Sequence, residues 1–220
     1  MKRILVVAPH PDDETLGCGG TLLRHKAEGD QIHWALATEV GDGFSSQQIR
    51  QREQEIQKVS RRYAFNSIER LGFPTATLDR IPKSKLIESL GHVFKKTGAE
   101  TIYLPFPGDV HTDHGIVFDA AISASKSFRY PKIKRILIYE TLSETEFGLS
   151  PQAGIFRPNV FIDIHRYLDK KIQIMKTYSG EIKPFPFPRS EKAMRAQAAL
   201  RGVTAGFHAA EAFMLLKEIK

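Results

Sequence analysis

A short apolar run, Ile4 to Ala8, passes directly into Pro9-His10-Pro11-Asp12-Asp13-Glu14-Thr15, and this junction constrains the fold more than any other stretch of the chain. Consecutive apolar residues rich in β-branched side chains suit a strand buried on both faces, as in a parallel sheet. The stretch that follows reads as a helix, continued by Leu22 to Lys26 and ended at Gly29-Asp30. Strand, polar elbow and helix form the unit from which open α/β folds are built, and such elbows carry their chemistry. The same order recurs where Thr101-Ile102-Tyr103-Leu104 meets Pro105-Phe106-Pro107-Gly108-Asp109-Val110-His111-Thr112-Asp113-His114, with a helical pattern from Gly115 to Ser125. Strands are expected at Ile32–Ala37, Ser67–Leu71, Arg135–Tyr139 and Phe161–Ile164, and helices at Gln47–Tyr63, Lys85–Lys96, Tyr167–Tyr178 and Glu191–Leu200. Their alternation predicts a three-layer α/β/α, Rossmann-like fold with a mainly parallel sheet and helices on both faces. Glu211 to Lys217 ends the chain.

The first elbow holds one imidazole and three carboxylates within five residues. Helix capping accounts for one acid there, not three. Adjacent carboxylates repel unless a cation neutralises one of them, so Asp12-Asp13 beside His10 suggests a bound metal with a spare carboxylate for proton transfer. If both elbows lie at the carboxyl edge of one parallel sheet, His10, Asp13 and one histidine of the second cluster make a three-ligand set with a position left for water, the pattern of a catalytic zinc site.

These residues resemble the two signature motifs of the LmbE/PIG-L family of zinc-dependent N-deacetylases: Ala8 to Gly20 the first, His111 to His114 the second. Pro158-Asn159-Val160-Phe161-Ile162-Asp163-Ile164, Pro188-Arg189-Ser190, Arg201-Gly202, Gly206 and Ala210-Glu211-Ala212-Phe213 resemble family features as well, so that almost the whole chain is covered. The resemblance implies removal of an N-acetyl group from an amino sugar or an N-acetylglucosamine-containing conjugate, with release of acetate. It implies His10, Asp13 and His114 as ligands of one Zn2+ per chain, with Fe2+ or Co2+ as other candidates, and Asp12 as general base. It implies His111 as an imidazolium stabilising the oxyanion, with Asp113 holding that ring charged and oriented. Arg52 matches a family arginine thought to contact substrate. Thr75 stands where many relatives have a sugar-binding aspartate, and Phe187 where they tend to have histidine. Relatives often assemble as trimers or hexamers.

Other readings carry less. Glu140, leaving a strand end among several acids, is a pocket candidate, and Arg189 is an anchor for an anionic or hydroxyl-rich substrate or a structural ion pair. The loop Thr38 to Ser46 is placed to cover a pocket, and 148 to 158 to form an irregular lid or crossover. A metal-dependent phosphoesterase would need more ligands than the two clusters supply. In a nucleotide-binding module the turn Gly17 to Gly20 would hold phosphate, but these glycines follow the acids inside the helix start, a poor place for an anion. Composition is even over 220 residues, which predicts one domain spanning 1–220. The charge of +7 is scattered among acids, so a solvated surface is expected and no nucleic-acid partner. The apolar run after Lys2-Arg3 is too short for a signal core or a membrane span, and the single cysteine, Cys18, fits a reducing compartment, so a cytoplasmic location is expected.

Overall fold

The computed structural model describes residues 1–41, 43–150 and 154–220. Its strands are β1 (Arg3–Ala8), β2 (Gln31–Glu39), β3 (Ser67–Pro74), β4 (Thr101–Pro105), β5 (Arg135–Tyr139), β6 (Val160–Asp163) and β7 (Ala210–Glu218). They form one sheet in the order β3-β2-β1-β4-β5-β7-β6. Pairing is parallel from β3 through β5, and β7 runs antiparallel to both β5 and β6. The helices are α1 (Asp13–Ala27), α2 (Ser46–Tyr63), α3 (Lys83–Thr97), α4 (Thr112–Ala124), α5 (Leu168–Met175) and α6 (Glu191–Ala205).

Side chains of β1 alternate between the two faces of the sheet. Ile4, Val6 and Ala8 share a core with Leu16 and Leu22 of α1, Ile56 and Val59 of α2 and Ile172 of α5. Leu5 and Val7 pack with Leu86 and Leu90 of α3 and Val117 and Ala121 of α4. Burial on both sides explains why this strand needs an unbroken apolar run. The three-layer expectation therefore holds. On α2, Ile56, Val59 and Tyr63 are buried, but Ile49, in the first turn, is 37% exposed. That helix starts on a capping box, with Ser45 and Gln48 bonding reciprocally.

From β1 the chain moves out to β2 and β3, then returns to place β4 on the other side of β1. The carboxyl ends of β1 and β4 thus flank the point where strand order reverses, the crevice in which such sheets bind ligands.

The glycines after the first elbow lie inside α1 and serve close packing. A Cβ at Gly17 would stand 2.2 Å from the Tyr139 ring. Farther along α1, the Glu211 carboxylate from β7 accepts the backbone N–H groups of Gly20 (2.8 Å) and Thr21 (2.7 Å). Lys171 of α5 donates to Glu211 (2.7 Å) and to the Leu16 carbonyl (2.8 Å), the acceptor that Gly20 would use in a regular helix. Cys18 is buried in this region, and burial pushes its thiol up, which suits a packing role.

Candidate metal centre and catalytic cleft

The elbow after β1 is tied down on several sides. The Thr38 hydroxyl and N–H both donate to the Pro9 carbonyl, at 2.8 and 3.0 Å. Asp12 occupies a backbone conformation that side-chain-bearing residues rarely adopt (φ 133°), and its N–H donates to Glu14 Oε2 at 3.0 Å. The Asp12 carbonyl accepts the first helical N–H groups, from Thr15 and Leu16, yet its carboxylate makes no capping bond. That strained turn costs on the order of 1–3 kcal/mol and leaves the Asp12 carboxylate available to the cleft.

His10, Asp13 and His114 converge, with one ligand atom from each lying within 4.8 Å of the others. Asp13 Oδ2 is 3.4 Å from His10 Nδ1 and 3.4 Å from His114 Nε2. Each imidazole is backed by a carboxylate on its other nitrogen: His10 Nε2 by Asp113 Oδ2 at 3.1 Å, and His114 Nδ1 by Asp109 Oδ2 at 2.7 Å. Asp109 is itself held by the Thr145 hydroxyl at 2.6 Å. Carboxylate backing of this kind fixes the tautomer and turns the remaining lone pair towards a cation. His114 Nε2 is buried without a hydrogen-bond partner among the described residues. A divalent cation fits this donor set, two imidazole nitrogens and a carboxylate oxygen, and would satisfy that nitrogen.

The electrostatics agree. Burial opposes charging of both rings, but Asp113 and Asp13 outweigh it and raise His10 to about 9, while Asp13 and Asp109 raise His114 to about 10. Asp13 is also opposed by burial, and the two histidines hold it well below the usual carboxylate range. The site therefore concentrates negative charge, which favours a bound cation. Asp12 goes the other way: burial first, then the neighbouring Asp13 charge, pushes it up against the pull of Arg189. Two adjacent aspartates are thus driven apart, the pattern by which a ligand and a proton carrier are separated. Glu14, buried and bonded to the hydroxyls of Thr15 (2.5 Å) and Tyr178 (2.9 Å), is raised by burial to about 7.

The second elbow departs from expectation at two residues. Among the described residues the Asp113 carboxylate makes no hydrogen bond to the His111 ring. That carboxylate accepts from His10 and from the N–H groups of Ala76 (2.8 Å) and Leu78 (3.3 Å), because α4 begins at Thr112 and turns it towards the end of β3. His111 is the N-cap of α4, and its Nδ1 accepts the Asp113 N–H at 3.2 Å. Burial and the neighbouring His10 charge lower His111, the direction opposite to the imidazolium expected from the sequence, and with Nδ1 accepting a backbone N–H its Nε2 is the nitrogen left to carry a proton.

The cleft above these groups has a volume of about 250 Å³, and Val40, Phe44, Arg52, Thr75, Glu144, Glu181 and Arg189 are among the residues that line it. Val40 and Phe44 come from the loop expected to cover it, of which residue 42 lies outside the described residues. Of the 148–158 segment, residues 151–153 likewise lie outside them. Arg52 and Arg189 both reach the cleft, but neither is unpaired. Arg189 donates to Asp12 Oδ2 (2.8 Å) and lies 3.1 Å from Glu181 Oε2, and Arg52 donates to Glu181 Oε1 (2.5 Å). Phe187 lies under the Arg189 guanidinium at 5.8 Å. Glu140 is outside the cleft: Arg201 of α6 holds it through two hydrogen bonds, 2.8 and 2.6 Å, beside a separate cavity lined by Phe106 and Phe156. Glu144, four residues on, takes the place expected of it. Asp109 and Glu181 had no role in the sequence reading. Asp109 is signalled as an acid in the same loop as a candidate ligand histidine, whereas nothing local marks Glu181, 129 residues from Arg52.

A family model, PIG-L (GlcNAc-PI de-N-acetylase), matches residues 5–125, which contain both elbows. The chain is 22% identical over 190 residues to a probable N-acetyl-alpha-D-glucosaminyl L-malate deacetylase 2 of Bacillus anthracis, covering 82% of this chain and 81% of that one. It is 23% identical over 227 residues to the diacetylchitobiose deacetylase of Thermococcus kodakarensis, covering 96% and 82%. Among solved structures, the conserved protein TT1542 of Thermus thermophilus superposes with a TM-score of 0.79 at 27% identity, over 100% of this chain and 97% of that one. GalB, a 4-carboxy-2-hydroxymuconate hydratase of a Pseudomonas, reaches 0.78 at 19% identity over 100% and 98%, so the fold by itself does not choose the reaction.

Proposed function

The chain belongs to the PIG-L family, and from that premise we propose that it is a metal-dependent hydrolase removing the N-acetyl group from an amino sugar or an N-acetylglucosamine-containing conjugate. The observation that carries the reading is the pair of carboxylate-backed histidines facing Asp13, with the Asp12 carboxylate beside them and outside the ligand set. His10, Asp13 and His114 would hold the cation, zinc being the candidate these ligands suit best. When bound, it supplies Lewis acidity and lowers the pKa of water at the site towards about 7. Asp12 takes the proton from the attacking water and returns it to the departing amine nitrogen. Its raised affinity for a proton suits it to both transfers. His111 donates from Nε2 to the carbonyl oxygen as negative charge develops there, its Nδ1 being taken up by the Asp113 N–H. Asp113 orients His10, and Asp109 orients His114.

The test is metal content of the purified protein alongside acetate release from N-acetylglucosamine conjugates, for wild type and Asp12→Ala. One metal per chain, with acetate release lost in Asp12→Ala while metal is retained, is the expected result. Two metals per chain, or phosphate release without acetate release, would overturn it in favour of a phosphoesterase.

A further inference from the structure

Beyond Arg52 the cleft continues into a second cavity of about 260 Å³, lined by Gln48, Gln51, Glu55 and Ser179 and sharing Val40, Phe44 and Arg52 with the first. The cations that a substrate would meet on this path are already engaged. Glu181 bridges them, one carboxylate oxygen on Arg52 at 2.5 Å and the other 3.1 Å from Arg189. Arg52 also lies 3.4 Å from Glu55, so along this wall one guanidinium stands between two carboxylates. The rest of the second cavity offers amides, a hydroxyl and carboxylate oxygens, with Glu55 accepting from Ser179 Oγ at 2.7 Å and from Gln51 at 3.2 Å.

From this arrangement we infer that Glu181 determines specificity: it occupies both arginines, and the second cavity therefore takes an uncharged, hydroxyl-bearing aglycone, such as another sugar, in preference to an anionic one. An anion entering there meets two guanidinium groups whose charge Glu181 already offsets and must approach Glu55; Arg52 Nη1 and Arg189 Nε, which have no hydrogen-bond partner among the described residues, are buried. A sugar hydroxyl can donate to the carboxylates and accept from the amides without breaking either ion pair. Discrimination arises from the repulsive element as much as from the attractive one. The inference rests on the deacetylase reading for its substrate and adds which conjugates that site accepts.

The experiment compares N,N'-diacetylchitobiose with N-acetylglucosaminyl malate, as acetate release and as binding to the metal-loaded protein by calorimetry, for wild type and Glu181→Gln. Wild type should favour the uncharged compound by about tenfold or more in kcat/KM or Kd, the worth of one charge-assisted contact, and Glu181→Gln should lower that ratio by about the same factor. Equal or better use of the malate conjugate by wild type, or a ratio unmoved in a Glu181→Gln protein that melts like wild type, would overturn the inference. Acetate release from neither compound would count against the deacetylase reading, and the binding ratio would still decide this one.

Discussion

Replacing Asp109 by asparagine separates orientation of a proposed metal ligand from ligation itself. Asp109 Oδ2 accepts from His114 Nδ1 at 2.7 Å and its Oδ1 accepts from Thr145 Oγ1 at 2.6 Å, while Thr145 Oγ1 accepts the Thr141 N–H at 2.8 Å. Asparagine can keep one of these bonds through its carbonyl but brings an N–H2 group to the other partner. It also removes the charge that makes His114 a stronger donor to a cation. Loss of such a backing carboxylate costs about 10–100-fold in metal affinity, or roughly 1.4–2.7 kcal/mol. The assay is competition for zinc against a chromophoric chelator, which needs no turnover. His114→Gln, which deletes the ligand, should lose considerably more. An Asp109→Asn affinity within threefold of wild type, or a loss as large as that of His114→Gln, would refute the idea that Asp109 acts through His114.

Gly17→Ala should destabilise the fold. Its Cβ would lie 2.2 Å from a fully buried Tyr139 ring whose hydroxyl is anchored to the Val7 carbonyl at 2.9 Å, so the ring has no room to retreat. Overpacking costs about 1–3 kcal/mol or more against a helix-propensity gain of up to ~1 kcal/mol, and a melting temperature equal to or above that of wild type would contradict this. Asp30 gives a pH signature: burial pushes its carboxyl up, but the Lys2 N–H (2.7 Å) and His25 (2.9 Å) outweigh burial and hold it below its ordinary value. A carboxyl lowered on folding contributes stability above its unfolded pKa of about 3.9 and loses it as pH falls through the folded value. The urea midpoint of wild type should therefore exceed that of Asp30→Asn at pH 7 and approach it below about pH 4, and a gap that widens on acidification would exclude the assignment.

Both elbows and the strands that deliver them were legible because a strand buried on two faces must be written as a continuous apolar run, and the polar residues after it then stand out. The candidate ligands stand out for the same reason: three carboxylates in one turn have few structural uses. What the sequence concealed were directions. Asp113 is two residues from His111 yet serves His10, because the start of α4 turns its carboxylate to the end of β3. Glu140 leaves β5 at the correct edge, but its pairing with Arg201 depends on where α6 lies. The antiparallel placement of β7 is hidden for a related reason. It takes its position from pairing with β5 and β6 and from Phe213 packing on Tyr103 at 5.0 Å, contacts between segments far apart in the chain.

That strand also sets an order of events during synthesis. Glu211 bonds the N–H groups of Gly20 and Thr21, and β7 is the link between β5 and β6. A ribosome that has released β1 to β6 has therefore made every proposed metal ligand, but α1 still lacks its buried anchor and β5 presents an open edge. Unpaired edges of this kind invite association between nascent chains. A chain cut before Glu211 would carry all the residues of the site but lack the carboxylate that anchors Gly20 and Thr21 of α1.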